Sequence, residues 1–321
     1  MFKAIFKTLA LLGLLFSTTS NAASQTKDDI AMEESVAAYN SGNLKKAEKI
    51  WLELANSGAP AVQHNLGILY ERDGDPTNDT QAAEWYELAI DQGYLPSNVN
   101  LGLMYFYGTL PTDYEKSYQL LLPAAEYGFH GAQETIGIQF LMGLGMATDY
   151  VSALSWLTAA AEGGFPSAMG YLGYMYQDGL GTEKDIAKAI EWSRPAAEAG
   201  YAMFQHNLAV ILEEEEWNEF YDPQQAAYWY SKAVEQQYPS AMLNLGVMYM
   251  DGIGVTQDYK TALMWFTIAT KFGLNDLAEI NIENSLNQLG VSNDEEFNQV
   301  YAQVMEMVQN CENKNYSKCN F

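Results

Sequence analysis

The stretch Leu245-Gly246-Val247-Met248-Tyr249-Met250-Asp251-Gly252-Ile253-Gly254-Val255-Thr256-Gln257-Asp258-Tyr259-Lys260-Thr261-Ala262-Leu263-Met264-Trp265 decides the fold, because five other stretches of the chain repeat its pattern. One column reads Leu66, Leu101, Ile136, Leu172, Leu208 and Leu245. The next reads Gly67, Gly102, Gly137, Gly173, Ala209 and Gly246. Successive copies lie 35, 35, 36, 36 and 37 residues apart. A period in this range is the mark of a stacked-repeat architecture.

A second anchor reads Asn78, Asp113, Asp149, Asp185, Asp222 and Asp258. Four residues on come Ala82, Ser117, Ala153, Ala189, Ala226 and Ala262; seven on come Trp85, Leu120, Trp156, Trp192, Trp229 and Trp265. Eleven on, all six are alanine, from Ala89 to Ala269. Fifteen on come Gly93, Gly128, Gly164, Gly200, Gln237 and Gly273. Offsets of four, seven and eleven share one helical stripe, so Ala, Trp and Ala face one neighbour. The anchor carboxylate suits an N-cap, where it accepts orphan amide protons and complements the helix dipole. The glycine at fifteen supplies a left-handed stop. The Leu-Gly pair belongs to a preceding helix. Its glycine lets two helices approach closely, and the tryptophan is expected to fill the space beside it. Turns such as Gly143-Leu144-Gly145, Gly179-Leu180-Gly181 and Gly252-Ile253-Gly254 join the two helices. With neither a preceding strand nor a following Gly-Lys-Ser/Thr, they read as hinges rather than phosphate cradles. Each repeat is thus an antiparallel helix pair, too small to bury its own faces, and stacking supplies the core.

The pattern Leu-Gly-x-Met-Tyr-x-x-Gly-x-Gly-x-x-x-Asp-x-x-x-Ala-x-x-Trp-x-x-x-Ala resembles the Sel1-like repeat. Upstream, Ala38-Tyr39-Asn40-Ser41-Gly42-Asn43-Leu44-Lys45-Lys46-Ala47 resembles the related tetratricopeptide repeat. The resemblance implies an all-α, right-handed α-solenoid superhelix of stacked antiparallel helix pairs, acting as an adaptor or scaffold. The expected organisation is a signal peptide at 1–22, capping helices at 23–58, six repeats at 59–93, 94–128, 129–164, 165–200, 201–237 and 238–273, and closing helices with a tail at 274–321.

The ends and the charge set the context. Lys3 and Lys7, an apolar run over 8–16 and small residues ending at Ala22 make a cleavable leader, and the run is too short to span a bilayer. A periplasmic or secreted protein is expected. The only cysteines, Cys311 and Cys319, read as a disulfide pinning the C-terminal tail. The formal charge of −25 becomes −27 once the leader's two lysines are lost. So negative a surface disfavours nucleic acid and anionic lipid; a basic partner, or plain solubility, fits better. No membrane insertion and a monomer are expected.

A partner groove is expected on the first helix of each pair. The residue before the leucine (Asn65, Asn100, Thr135, Tyr171, Asn207, Asn244) and the residue after the glycine (Ile68, Leu103, Ile138, Tyr174, Val210, Val247) both point away from the core stripe. An amide ladder beside an apolar row suits an extended peptide, although packing against the next repeat explains the same residues. The fifth repeat replaces its Gly-x-Gly turn by an acidic loop at 213–222 carrying Trp217, Phe220 and Tyr221, read as a solvated loop, a partner contact or an ion site.

Nothing in the sequence points to chemistry. His64 and His206 share a column four repeats apart, and His130 sits at an inter-repeat turn, so no metal site or cofactor is expected. No HExxH or Gly-x-Ser-x-Gly pattern occurs. A non-catalytic adaptor for a protein or peptide is the reading. The alternative is an envelope-glycan or exopolysaccharide assembly factor, with Tyr105, Tyr107, Tyr171 and Tyr174 stacking on sugars.

Overall fold

Five of the six anchor residues cap helices. The side chains of Asp113, Asp149, Asp185, Asp222 and Asp258 accept backbone N–H groups of Lys116, Ser152, Lys188, Gln225 and Lys260 at 2.9–3.1 Å. Asn78 departs from the column: its helix begins at Pro76 and runs to Ile90, leaving Asn78 inside the first turn. At the other end of these helices, Gly93, Gly128, Gly164, Gly200 and Gly273 all have φ between 79° and 102°.

The computed structural model describes residues 27–55, 58–72, 76–214, 219–314, 316 and 319. The leader read at 1–22 and residues 215–218 of the acidic loop lie outside them. The described residues are all-helical, without strands. They fall into two compact units, Met1–Gly163 and Gly164–Phe321.

In the first unit the helices are α1 (Lys27–Asn40), α2 (Leu44–Ala55), α3 (Pro60–Glu71), α4 (Pro76–Ile90), α5 (Leu95–Tyr107), α6 (Tyr114–Glu126), α7 (His130–Met142) and α8 (Tyr150–Glu162). Each packs on the next in chain order through α8, and α5 also touches α7. In the second unit the helices are α9 (Pro166–Asp178), α10 (Ile186–Glu198), α11 (Ala202–Glu213), α12 (Pro223–Glu235), α13 (Pro239–Asp251) and α14 (Tyr259–Thr270), closed by α15 (Asn275–Gln288) and α16 (Asp294–Asn313). These stack in the same way, and α14 receives both α15 and α16. The Cys311–Cys319 disulfide is formed and ties the tail to α16. Each unit is therefore a run of stacked antiparallel helix pairs, the α-solenoid arrangement. The first helix of a pair is termed A and the second B.

The core corrects one expectation. The residue facing the A-helix glycine is not the tryptophan but its successor, eight positions past the anchor. A Cβ on Gly137 would stand 2.7 Å from Leu157 Cγ, and one on Gly246 would stand 2.6 Å from Phe266 Cε1. Tyr86, Leu121 and Ser193 cover Gly67, Gly102 and Gly173 in the same manner. The offset-seven residue instead packs where its own pair meets the preceding one: Trp85 packs on the α1–α3 cluster containing Trp51 and Leu66, and Trp156 packs on the cluster containing Leu121 and Ile136. One position of rotation on a helix is about 100°, enough to exchange the partner within a pair for the partner between pairs.

Gly143 and Gly145, with φ of 68° and 74°, form the expected hinge. The second glycine has a further duty. A side chain at Gly145 would meet the Glu115 amide nitrogen at 2.8 Å, because this turn rests on the start of the preceding B helix, α6.

Candidate partner-binding face

The A helices α3, α5 and α7 of the first unit and α9, α11 and α13 of the second carry the two columns expected to form a groove. The amide column largely serves the fold. Asn100 Nδ2 donates to Tyr86 Oη at 3.0 Å, and Asn244 Nδ2 donates to Tyr230 Oη at 2.9 Å. Asn65 is buried, Thr135 is buried with its hydroxyl on the Gly131 carbonyl, and the Asn207 side-chain oxygen lies 3.3 Å from His206 Nδ1. Tyr171 meets the ring of Phe204 edge-on, with centroids 5.4 Å apart. The expectation that Asn100 and Asn244 point away from the packed stack is therefore corrected. Each reaches back to a buried tyrosine of the preceding B helix, and in the first copy that tyrosine, Tyr86, lies over Gly67.

These contacts belong to a polar cluster that the chain builds twice. In the first copy, Tyr86 Oη donates to Glu71 Oε2 at 2.8 Å while accepting from Asn100. His64 lies 5.5 Å from the Tyr86 ring and 5.2 Å from the Tyr94 ring, with Nδ1 at 2.9 Å from Ser97 Oγ, and Gln92 donates to Gln63 at 2.7 Å. In the second copy, Tyr230 is hydrogen-bonded to Glu213 and accepts from Asn244. His206 lies 5.5 Å from Tyr230 and 5.2 Å from Tyr238, and Gln236 donates to Gln205 at 2.8 Å. The sequence signal is Gln63-His64-Asn65-Leu66 matched by Gln205-His206-Asn207-Leu208, whereas column reading notes only the shared histidine.

Burial governs the protonation of both clusters. It lowers the His64 pKa to about 4 and also depresses His206. Burial, reinforced by the neighbouring Glu71 and Glu213, drives the Tyr86 and Tyr230 hydroxyls well above their ordinary range, and burial raises Glu213 itself. The imidazoles and phenols are held neutral, an arrangement suited to fixing repeat junctions rather than to proton transfer. Glu213 opens the acidic loop in sequence, and this contact makes it part of the second cluster.

The apolar column is more open. Ile68, Leu103, Val210 and Val247 are half-buried, while Tyr174 is 38% exposed. Ile138 is the exception, buried at 8% exposure, and it belongs to the core. Of the four tyrosines proposed to stack on sugars, Tyr105 clasps Lys116, whose Nζ stands 4.4 Å from the ring centroid, and Tyr107 packs against Phe106. Phe220 and Tyr221 of the acidic loop are exposed. Among the described residues, no group of three His, Cys, Asp or Glu side chains converges as metal ligands would, and no helix is long and apolar enough to cross a membrane.

The sequence model of the Sel1 repeat matches residues 60–94, 95–129, 137–165, 166–201, 202–238 and 239–271. Among solved structures, the chain is similar to a protective antigen present in uropathogenic Escherichia coli strains and displaying an SLR fold. The identity is 26% and the TM-score 0.64, over 92% of this chain and 71% of that one. It is also similar to a Sel1 repeat protein from Oxalobacter formigenes, at 30% identity and a TM-score of 0.62, over 75% of this chain and 99% of that one.

Proposed function

This chain belongs to the Sel1 repeat family, and on that premise we propose that it is an exported, non-catalytic adaptor holding another polypeptide against its A-helix faces. The observation that carries this reading is the apolar row. Leu103, Tyr174, Val210 and Val247 keep accessible surface although the neighbouring helices are already in place. With Asn100 and Asn244 committed to Tyr86 and Tyr230, affinity comes from apolar area on this row and from polar groups along its edge. Export is supported by the Cys311–Cys319 disulfide, a bond that persists outside reducing compartments, and by the leader pattern at 1–22.

A photo-crosslinking amino acid placed singly at Leu103, Tyr174 or Val247 tests the reading in the envelope fraction of the source cell. The expected result is one recurrent crosslinked polypeptide, absent when the probe sits at Leu88 or Val151, which are exposed on B helices. Equal capture from both faces overturns the assignment of the face. Binding of envelope polysaccharide with no polypeptide captured would favour the glycan-assembly reading instead.

A further inference from the structure

The two units differ at the edge of the apolar row. In the second unit, three A helices lie side by side: Phe204 of α11 sits over Gly170 of α9 and against Tyr171, and His206 of α11 reaches Asn244 of α13 at 3.4 Å. Their apolar row is Tyr174, Val210 and Val247. Four residues on stand Asp178 and Asp251, on the same helix face, and Glu214, the extended residue that ends α11, all exposed. None of these carboxylates forms an ion pair among the described residues; the lysines paired in this unit serve Asp185, Glu235 and Glu312. The partial negative charge at each helix C-terminus adds to the field there. The matching positions of the first unit are Arg72, Tyr107 and Met142, with no carboxylate among them.

Neighbouring helix axes lie about 8–10 Å apart, and a peptide extended as polyproline II advances about 3.1 Å per residue with three residues per turn, so every third side chain shares one face. One A helix therefore corresponds to roughly three peptide residues. We propose that the A-helix face of the second unit takes an extended peptide segment in which a lysine or arginine recurs at every third residue with apolar side chains between. The cations meet Asp178, Glu214 and Asp251 while the apolar side chains lie on Tyr174, Val210 and Val247. The proposal rests on the adaptor reading and narrows it to one face and one partner chemistry.

Fluorescence anisotropy on the full chain tests it with two labelled peptides of identical composition. One has lysine at every third position with leucine and alanine between; the other has its lysines grouped at one end. The phased peptide should bind at least about fivefold more tightly. Asp178→Asn, Glu214→Gln and Asp251→Asn should each weaken it by about two- to fivefold, the range of an exposed ion pair. Arg72→Gln should leave it unchanged. Equal affinity for both peptides, or full binding by the triple variant, overturns the proposal, because bulk negative charge would then explain any attraction. Crosslinking of a partner segment without basic residues sinks this inference and leaves the adaptor reading intact. Failure of A-face crosslinking at every position counts against the adaptor reading itself.

Discussion

Gln237 holds a φ of 59° in the column where the other five repeats place glycine. A side chain in the left-handed region costs roughly 1 kcal/mol, which glycine avoids. Gln237→Gly is expected to stabilise the chain by about 0.5–1 kcal/mol, read as a higher urea midpoint at an unchanged slope. His64 supplies a second residue-level prediction. Its folded pKa of about 4 lies below the ordinary value of 6.5, so the folded chain favours neutral imidazole. The contribution is fully present above pH 6.5 and is lost as pH falls towards 4, by up to roughly 3 kcal/mol. Ser97, Tyr86 and Tyr94 surround the ring and offer it no charge. His64→Phe should therefore flatten the loss of thermal stability between pH 7 and pH 4; an identical pH profile in the variant would refute this account. The glycine column and five of the six caps were legible in sequence because each depends on its own φ or its own first turn. The His64 cluster was not, since it is assembled from three helices and a tyrosine crossing between them.

At the level of the helix pair, contact depends on a small residue opposite a large one. Gly137→Ala gains up to about 1 kcal/mol of helix propensity, but its new methyl group collides with Leu157. A net loss of about 1–3 kcal/mol is expected from overpacking. Leu157→Ala alone should cost about 2–5 kcal/mol, and the double variant should cost less than the two singles combined. A thermodynamic cycle from urea melts reads that coupling, and strict additivity would show that the two side chains do not share the site. The same geometry explains why the sequence pattern alone sets the tryptophan against the wrong neighbour. Periodicity identifies a buried stripe but cannot say which of two flanking helices each side of the stripe meets. The true partner column is also chemically mixed (Tyr86, Leu121, Leu157, Ser193, Tyr230 and Phe266), so it gives no repeated signal.

On the scale of the whole chain, each pair is stabilised mainly by its neighbours, so local damage spreads along the stack. The tail of the second unit is held by the Cys311–Cys319 bond, by the Lys271–Glu312 ion pair and by Phe272 against Tyr316. Reducing the disulfide should cost about 2–3 kcal/mol in the chain-entropy account. Amide exchange should accelerate in α16 and α15 before α14, while α1–α4 keep their protection. Uniform acceleration throughout the chain would contradict a nearest-neighbour stack. The family and the helical class were legible from the repeat alone. The binding columns were less so, because a residue's angle around its helix does not reveal that a tyrosine hydroxyl has already claimed it.

The hinge turns carry a practical consequence. From the second repeat to the sixth, the link from a B helix to the next A helix is invariably three or four residues, whereas the link within a pair runs from six residues (108–113) to nine (214–222). Length variation has been admitted at one joint and refused at the other. A foreign segment spliced between Gly181 and Asp185 should leave the stack in register, whereas the same insertion beside Gly200 should break it. The first joint is where this scaffold can be lengthened, tagged or fused without being redesigned.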